Sequence, residues 1–209
     1  MNKIVVVLFF FFFTSCLGKH SSDAQKATVS AKSAQAENYT GDTVPIDISK
    51  SKLHWKGTKM GGAGKHEGEI KLKDGYFITK DKQIVAGSLN VAMATLAVTD
   101  IPEYETIARK NLNEHLKSSE FFDVKKFPVS KFQLVNAKRL SPDSLLLSGN
   151  LSLKDITKKI KFRAKYKDTI FSTTFTIDRY QWNIAYTGSW TDRTFVDRHI
   201  EIKIALNTQ

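Results

Sequence analysis

"KIKFRAKYK", Lys159 to Lys167, carries the clearest periodic pattern in the chain. Ile160, Phe162, Ala164 and Tyr166 fall on one face, and Lys161, Arg163, Lys165 and Lys167 on the other. Successive side chains of a strand point to opposite sides, so this pattern means one dry face and one wet face. The lysines are thereby explained as an outer surface rather than a binding patch. Directly upstream, "LLLSGNLSL" puts Leu145, Leu147, Gly149, Leu151 and Leu153 together, and "KDIT", Lys154 to Thr157, supplies a turn. The two runs predict a hairpin.

The same alternation extends in both directions. "KLHWKG" sets Leu53, Trp55 and Gly57 against Lys52, His54 and Lys56, and "EIKLKDGYFI" holds an Asp74-Gly75 turn signal between two short strands. "IVAGSLNVAM" places Val85, Gly87, Leu89, Val91 and Met93 on one face, and "FQLVNA" puts Phe132 with Leu134. "IFSTTFTI" gives Phe171, Phe175 and Ile177; "QWNIAY" gives Trp182, Ile184 and Tyr186; "HIEIKIAL" alternates Ile200, Ile202, Ile204 and Leu206 with His199, Glu201, Lys203 and Ala205. About ten short runs at such spacing predict an all-β, antiparallel barrel or sandwich. One segment breaks the rule. "TDIPEYETIARKNLNEHLK", Thr99 to Lys117, reads as a helix with Asp100 as N-cap, Pro102 and Glu103 in the first turn, and Glu103 completing a capping box. Tyr104, Ile107, Ala108, Leu112 and Leu116 share its apolar face, which would cover an opening or an edge of the sheet.

Small residues stand beside large ones on the inward faces. Gly87, Gly149 and Ala164 leave room that Trp55, Trp182, Phe162, Phe171 and Phe175 do not fill automatically. A small barrel either packs its interior with side chains or holds one apolar ligand, and periodicity leaves both open.

The first residues speak to compartment. Met1-Asn2-Lys3 is a positive n-region, and Ile4 to Phe13 is an unbroken apolar run. It is too short for a membrane span of ~20 residues but suits the h-region of a secretory signal, residues 1–15. Cys16, the only cysteine of the chain, follows Thr14-Ser15 and so fits the acceptor of a bacterial lipoprotein, although "FTSC" is a loose lipobox. An ordinary signal with an incidental cysteine is the other reading. Residues 16–43 are rich in Ser, Ala, Lys, Gln and Thr, cannot bury enough surface to offset chain entropy, and read as a flexible tether. Residues 44–209 have the length of one ordinary domain. The expected location is the cell envelope or periplasm, with the membrane as a partner through the lipid anchor. Removal of residues 1–15 takes one positive charge, Lys3, from a formal net charge of +11. The remainder suits anionic surfaces, but a solvated basic exterior explains it, and no aromatic-basic or finger spacing argues for nucleic acid.

Motifs for catalysis are missing from the sequence. GxSxG does not occur, the histidines at 20, 54, 66, 115 and 199 form no HExxH or HxH, and paired carboxylates are not recognisable. His66, among glycines and charges, reads as a loop residue rather than a metal ligand. Asp178-Arg179 reads as a charged pair closing a turn, with Arg179 facing an anionic lipid head as the alternative.

"HLKSSEFFDVKKFP", His115 to Pro128, places Phe121, Phe122 and Phe127 where no single regular face can hold them. His115, Leu116, Lys117, Ser118, Phe121, Phe122, Asp123, Val124, Pro128 and Phe132 match the signature His-Leu-Lys-Ser-x-x-Phe-Phe-Asp-Val-x-x-x-Pro-x-x-x-Phe, and the chain here resembles the YceI-like family. Gly64, His66 and Gly68 match its Gly-x-His-x-Gly segment, while "SGNLSLKDITKKIKF" and "FTIDRYQWNIAY" resemble its later hairpin and Phe-x-Ile-Asp-Arg segment. Ala92 stands where relatives often carry an aspartate, and Asp155 replaces a usual Asn or Gly. The resemblance covers about residues 46–206. It implies an eight-stranded antiparallel lipocalin-like barrel, with one helix covering an end or edge. It further implies a tunnel that holds a polyisoprenoid or other long amphipathic lipid. Storage or transfer of such a lipid, polyisoprenoid or quinone-like, is the expected function, and the missing motifs give the expectation of no catalytic residues, metal or cofactor. Trp55, Leu89, Phe121, Phe122, Phe127, Phe132, Phe162, Phe175, Trp182 and Arg179 are the candidate ligand contacts. A lipid-modifying enzyme and an interaction barrel with a packed core are the alternatives.

Overall fold

The computed structural model describes residues 22–31, 39–185 and 196–209. The signal segment, Cys16 and Tyr186 lie outside the described residues. After two short N-terminal strands, β1 (Gln25–Lys26) and β2 (Thr28–Ser30), come β3 (Asp42–Lys59), β4 (Gly64–Lys80) and β5 (Gln83–Val98). Helix α1 (Thr106–Lys117) follows, then β6 (Val129–Ser141), β7 (Ser144–Leu153), β8 (Ile156–Lys167), β9 (Ile170–Asp178) and β10 (Val196–Thr208). Strands β3 to β10 pair antiparallel in order, β10 pairs with β3, and the sheet closes into an eight-stranded barrel. Closure removes the exposed sheet edges.

The alternation read in β8 fixes its orientation: Ile160, Phe162 and Ala164 are buried, and the intervening Lys161, Arg163 and Lys165 are exposed. The same holds in β9, where Phe171, Phe175 and Ile177 point inward. One end of the barrel is closed by tight turns and packed rings. Asp81-Lys82 and Asp168-Thr169 are two-residue hairpin loops with positive φ throughout, the geometry whose twist matches that of the flanking strands. Behind them Phe77 and Phe171 pack 5.3 Å apart beside Ile84, Leu134, Leu147 and Leu206, all nearly inaccessible. The other end carries the β3–β4 turn, α1, residues 118–128 and the turn after β9, and it forms the mouth.

Several expectations are corrected. Asp74-Gly75 is not a turn, because β4 runs straight through it with a bulge against β5. Gly75 is needed for close approach: a Cβ there would lie 3.0 Å from Leu89 and 3.2 Å from the Ser88 carbonyl oxygen. Val85 does not share the interior with Leu89. Register passes from Ile78–Ala86 to Thr79–Ile84, which skips Val85 and turns Ile84 into the core. The helix starts at Thr106 rather than Asp100, since Glu105 is its N-cap and the Asp100 carboxylate faces His66 at 3.1 Å. Tyr104 and Ile107 accordingly stand 83% and 75% exposed instead of facing the barrel, while Leu116 is buried. "QWNIAY" is not a strand over its described part. Asp178 accepts from the Tyr180 N–H to start a 3₁₀ turn over Arg179–Trp182, which ends at left-handed Asn183.

The expected tether is corrected in part. Gln25–Lys26 and Thr28–Ser30 are sheet members, paired parallel to β9 and antiparallel to β8. Their polar side chains gave no periodic signal, because the pairing is made by backbone against a gap in the barrel wall.

Candidate binding cavity

Below the mouth, the barrel encloses a cavity of about 250 Å³. Each wall position follows from strand parity. Strand β3 supplies Leu53, Trp55 and Gly57; β5 supplies Leu89, Val91 and Met93; β8 supplies Ile160 and Phe162; β9 supplies Phe175 and Ile177; β10 supplies Ile200, Ile202 and Ile204. Phe77 and Phe171 make its floor. Rings meet inside it: Phe162 stacks on Phe175 at 4.3 Å and 19°, and tilts against Phe132 at 5.6 Å. Small side chains hold these rings in place. A Cβ at Gly149 would come within 2.6 Å of the Phe132 ring and 2.5 Å of the Gln133 carbonyl oxygen, so only glycine admits that packing.

The roof is the "FFDVKKFP" segment. Ser118 caps α1, its hydroxyl donating to the His115 carbonyl at 2.8 Å. The backbone then winds tightly, with Phe122 N–H on Leu116 O, Asp123 N–H on Ser118 O and Val124 N–H on Lys117 O. Asp123 sits at φ 47°, a left-handed conformation that Asp tolerates. This coil lets the two adjacent phenylalanines share one side. Phe121 and Phe122 meet edge-on at 5.0 Å, and both line the cavity with Leu112, His115 and Leu116. Hydrogen bonds from Val98 N–H to Asn113 Oδ1, and from Met93 N–H to Pro128 O, fasten roof to wall.

Arg179 is the one buried charged side chain among the described residues, with 1% exposure. Its Nε donates to Asp197 O, its Nη1 to Ile184 O at 2.6 Å, and its Nη2 to Val196 O and the Tyr180 hydroxyl. The guanidinium lies 4.4 Å from the Tyr180 ring centroid and 6.0 Å from that of Phe121. Burial pushes its pKa below the ordinary arginine value, against the fields of Tyr180, Asp178 and Asp197. Asp178 is not its partner. That carboxylate binds Arg198 at 2.6 Å. Burial acts to raise the Asp178 pKa, yet Arg198, Gln181 and the Tyr180 N–H together hold it below the usual carboxylate value. The turn is thus closed by Asp178 as a cap, and Arg179 stitches it to the carbonyls of β10 and residue 184.

Of the candidate contacts, Trp55, Leu89, Phe121, Phe122, Phe132, Phe162, Phe175 and Arg179 come together around the cavity. Trp182 and Phe127 do not line it. Trp182 is fully buried in the wall, its indole N–H donating to Leu151 O at 3.1 Å, and Phe127 lies at the rim under the Lys126 ammonium. Val91, Met93, Leu96, Leu112 and His115 also line the cavity and were not singled out. Val91 and Met93 shared a face with Leu89 in the sequence, and that parity could have found them. His66 is a strand residue of β4 rather than a loop residue, opposite Gly57, with its Nδ1 3.1 Å from the Asp100 carboxylate. The indole N–H of Trp55 is a buried donor without a partner among the described residues. No group of His, Cys, Asp and Glu among the described residues could hold a metal ion.

Fold and cavity together define a lipocalin-like antiparallel barrel of eight strands with one helix at its mouth and an apolar interior space. The YceI-like domain model matches residues 45–208, and the chain belongs to that family. It is 35% identical over 98 residues to Protein YceI of Salmonella arizonae, covering 47% of each chain, so it matches about half the length of that relative. The fold is similar to that of Burkholderia cenocepacia BcnA, with TM-score 0.64 and 18% identity over 77% of this chain and 98% of that one. It is also similar to a polyisoprenoid-binding domain from Saccharophagus degradans, with TM-score 0.58 and 12% identity over 79% of this chain and 97% of the other.

Proposed function

We propose that the barrel binds one long-chain amphipathic lipid, of polyisoprenoid or quinone-like type, for storage or transfer in the cell envelope. The observation that carries this reading is the enclosed cavity, whose walls below the mouth are almost wholly aliphatic and aromatic. Such a space is costly to leave open, and each methylene moved into it from water contributes ~0.8 kcal/mol. The polyisoprenoid named for the Saccharophagus domain supports the same ligand class. Trp55, Leu89, Phe121, Phe122, Phe132, Phe162 and Phe175 are the proposed chain contacts, and Arg179 lines the same space. The reading assigns no catalytic step. The leader and Cys16 support export and membrane tethering through a lipid anchor. Mass spectrometry of an organic extract from the purified chain tests the ligand, with one chain-like lipid per protein as the expected result. Phe122→Ala should lower that amount while the far-ultraviolet spectrum is retained. Repeated absence of lipid, together with no uptake of an added long-chain probe, overturns the reading.

A further inference from the structure

One seam of the barrel differs from the other seven. β7 and β8 pair from Ser144–Lys165 to Leu153–Ile156, and β9 and β10 from Ile170–Asn207 to Asp178–His199. β8 and β9 pair only from Lys167–Ile170 to Lys165–Ser172, beside their tight turn. Beyond that point they part, and the N-terminal segment lies between them. Gln25 and Lys26 run alongside Phe175 and Thr176, and Thr28 to Ser30 alongside Lys161 to Lys159. At the fork, the Gln25 amide takes over the missing ladder. Its Nε2 donates to Arg163 O at 2.7 Å and Thr174 O at 3.2 Å, and its Oε1 accepts from Arg163 N–H at 2.8 Å. Directly inside the fork stand Phe162, Phe175, Ile160 and Ile177, all of which line the cavity.

We propose that this seam is a side port to the cavity, opened when Gln25–Ser30 swings out of the sheet and shut when it pairs again. The proposal rests on the lipid-binding reading and names how that site is reached. The segment is a weak stave. Only Ala27 and Val29 pack against the core, the rest is polar, and Thr176 Oγ1 beside it is buried without a partner among the described residues. Short pairings with little buried apolar surface open well below the free energy of global unfolding. The mouth is better fastened, by buried Leu116, Phe121 and Val124 and the coil hydrogen bonds around them. With the segment out, β8 and β9 stand about two strand spacings apart, ~10 Å, along about five residues or ~17 Å. That slot takes a hydrocarbon chain lengthwise, so the ligand need not thread past the roof.

The test uses the full chain with Cys16→Ser and the pair Thr28→Cys and Lys161→Cys, which face each other across β2 and β8. Opposed Cα atoms of an antiparallel pair lie within disulfide reach. Oxidation should slow uptake of trans-parinaric acid by at least about tenfold, reduction should restore it, and the amount bound at equilibrium should not change. Gln25→Ala, which removes the three fork hydrogen bonds, should speed uptake about tenfold. Equal uptake rates in the oxidised and reduced forms overturn the port. Amide exchange of the unstapled chain decides the opening without any ligand. Peptides spanning 22–31 and 159–163 should exchange well ahead of β7 and β10, and exchange only with global unfolding overturns it. Failure of the probe to bind in either form sinks the lipid reading instead, leaving the exchange result to decide whether the seam opens.

Discussion

Replacing Gly57 with phenylalanine should abolish most lipid binding and leave the barrel intact. Gly57 faces inward from β3 between His66 and Ile200, lines the cavity near its mouth, and has nothing within 4 Å of an added Cβ. Its backbone is ordinary strand, so a side chain there meets no conformational penalty, and loss of a strand glycine contributes about 0.5–1 kcal/mol of stability. Taking a methylene as comparable to the volume of a water molecule, about 30 Å³, the 250 Å³ cavity holds roughly eight of them. Full enclosure is worth about 6 kcal/mol at ~0.8 kcal/mol each. A benzyl group filling about half of that space forfeits ~3 kcal/mol, or roughly two orders of magnitude in Kd. Fluorescence titration with trans-parinaric acid measures the affinity, and urea unfolding of the same sample measures the fold. An unchanged Kd in a folded Gly57→Phe protein would refute the assignment of the ligand to this cavity. A large fall in urea midpoint would refute the claim that the site is open.

Arg179→Met should destabilise the chain by at least about 3 kcal/mol in urea, because the carbonyls of Asp197, Ile184 and Val196 lose their buried donor. Arg179→Lys should not rescue it, since one ammonium cannot reach the carbonyls served by a planar fork. Acid should loosen the β9–β10 corner through Asp178. Its folded pKa is depressed, so its stabilising contribution is complete above the ordinary carboxylate value of 3.8 and is lost as pH falls through the lower folded value. Melting temperatures from pH 6 to pH 3 should therefore fall more steeply in the parent than in Asp178→Asn, and identical slopes would remove Asp178 from the account.

The interior of the barrel was legible wherever solvent stands on one side of a strand and the core on the other. Ile160, Phe162 and Ala164 against Lys161, Arg163 and Lys165 needed nothing but period two. Legibility failed where a strand changes phase. Val85 and Asp74-Gly75 sit at bulges, and a bulge is set by what the partner strand does, which no local window contains. The helix was read too early because Asp100 and Pro102 look like a start, whereas the His66 side chain across the mouth holds Asp100. The aromatic coil was identified as irregular, and its role as a roof depends on backbone hydrogen bonds around Ser118 that side-chain pattern cannot announce. Periodicity also left the choice between a packed and a hollow interior open. The resemblance supplied the tunnel, and the lining parity of Trp55, Leu89, Phe162 and Phe175 supplied most of its walls. Gln25, Thr28 and Ser30 were illegible for a different reason: a polar segment becomes a strand only because β8 and β9 leave it a vacancy.

That stave also orders events in time. Gln25 is made early in synthesis, yet its partners Arg163 and Thr174 lie 138 and 149 residues downstream, and the Ser22 hydroxyl waits for Glu201, 179 residues away. β3 likewise has no β10 to pair with until the last strand exists. No early fragment can close, so the chain must remain unsealed, with its apolar wall exposed, until almost its final residue is available. Contacts of such long range make folding slow, and a nascent or C-terminally truncated chain leaves uncovered an apolar wall that the finished barrel encloses.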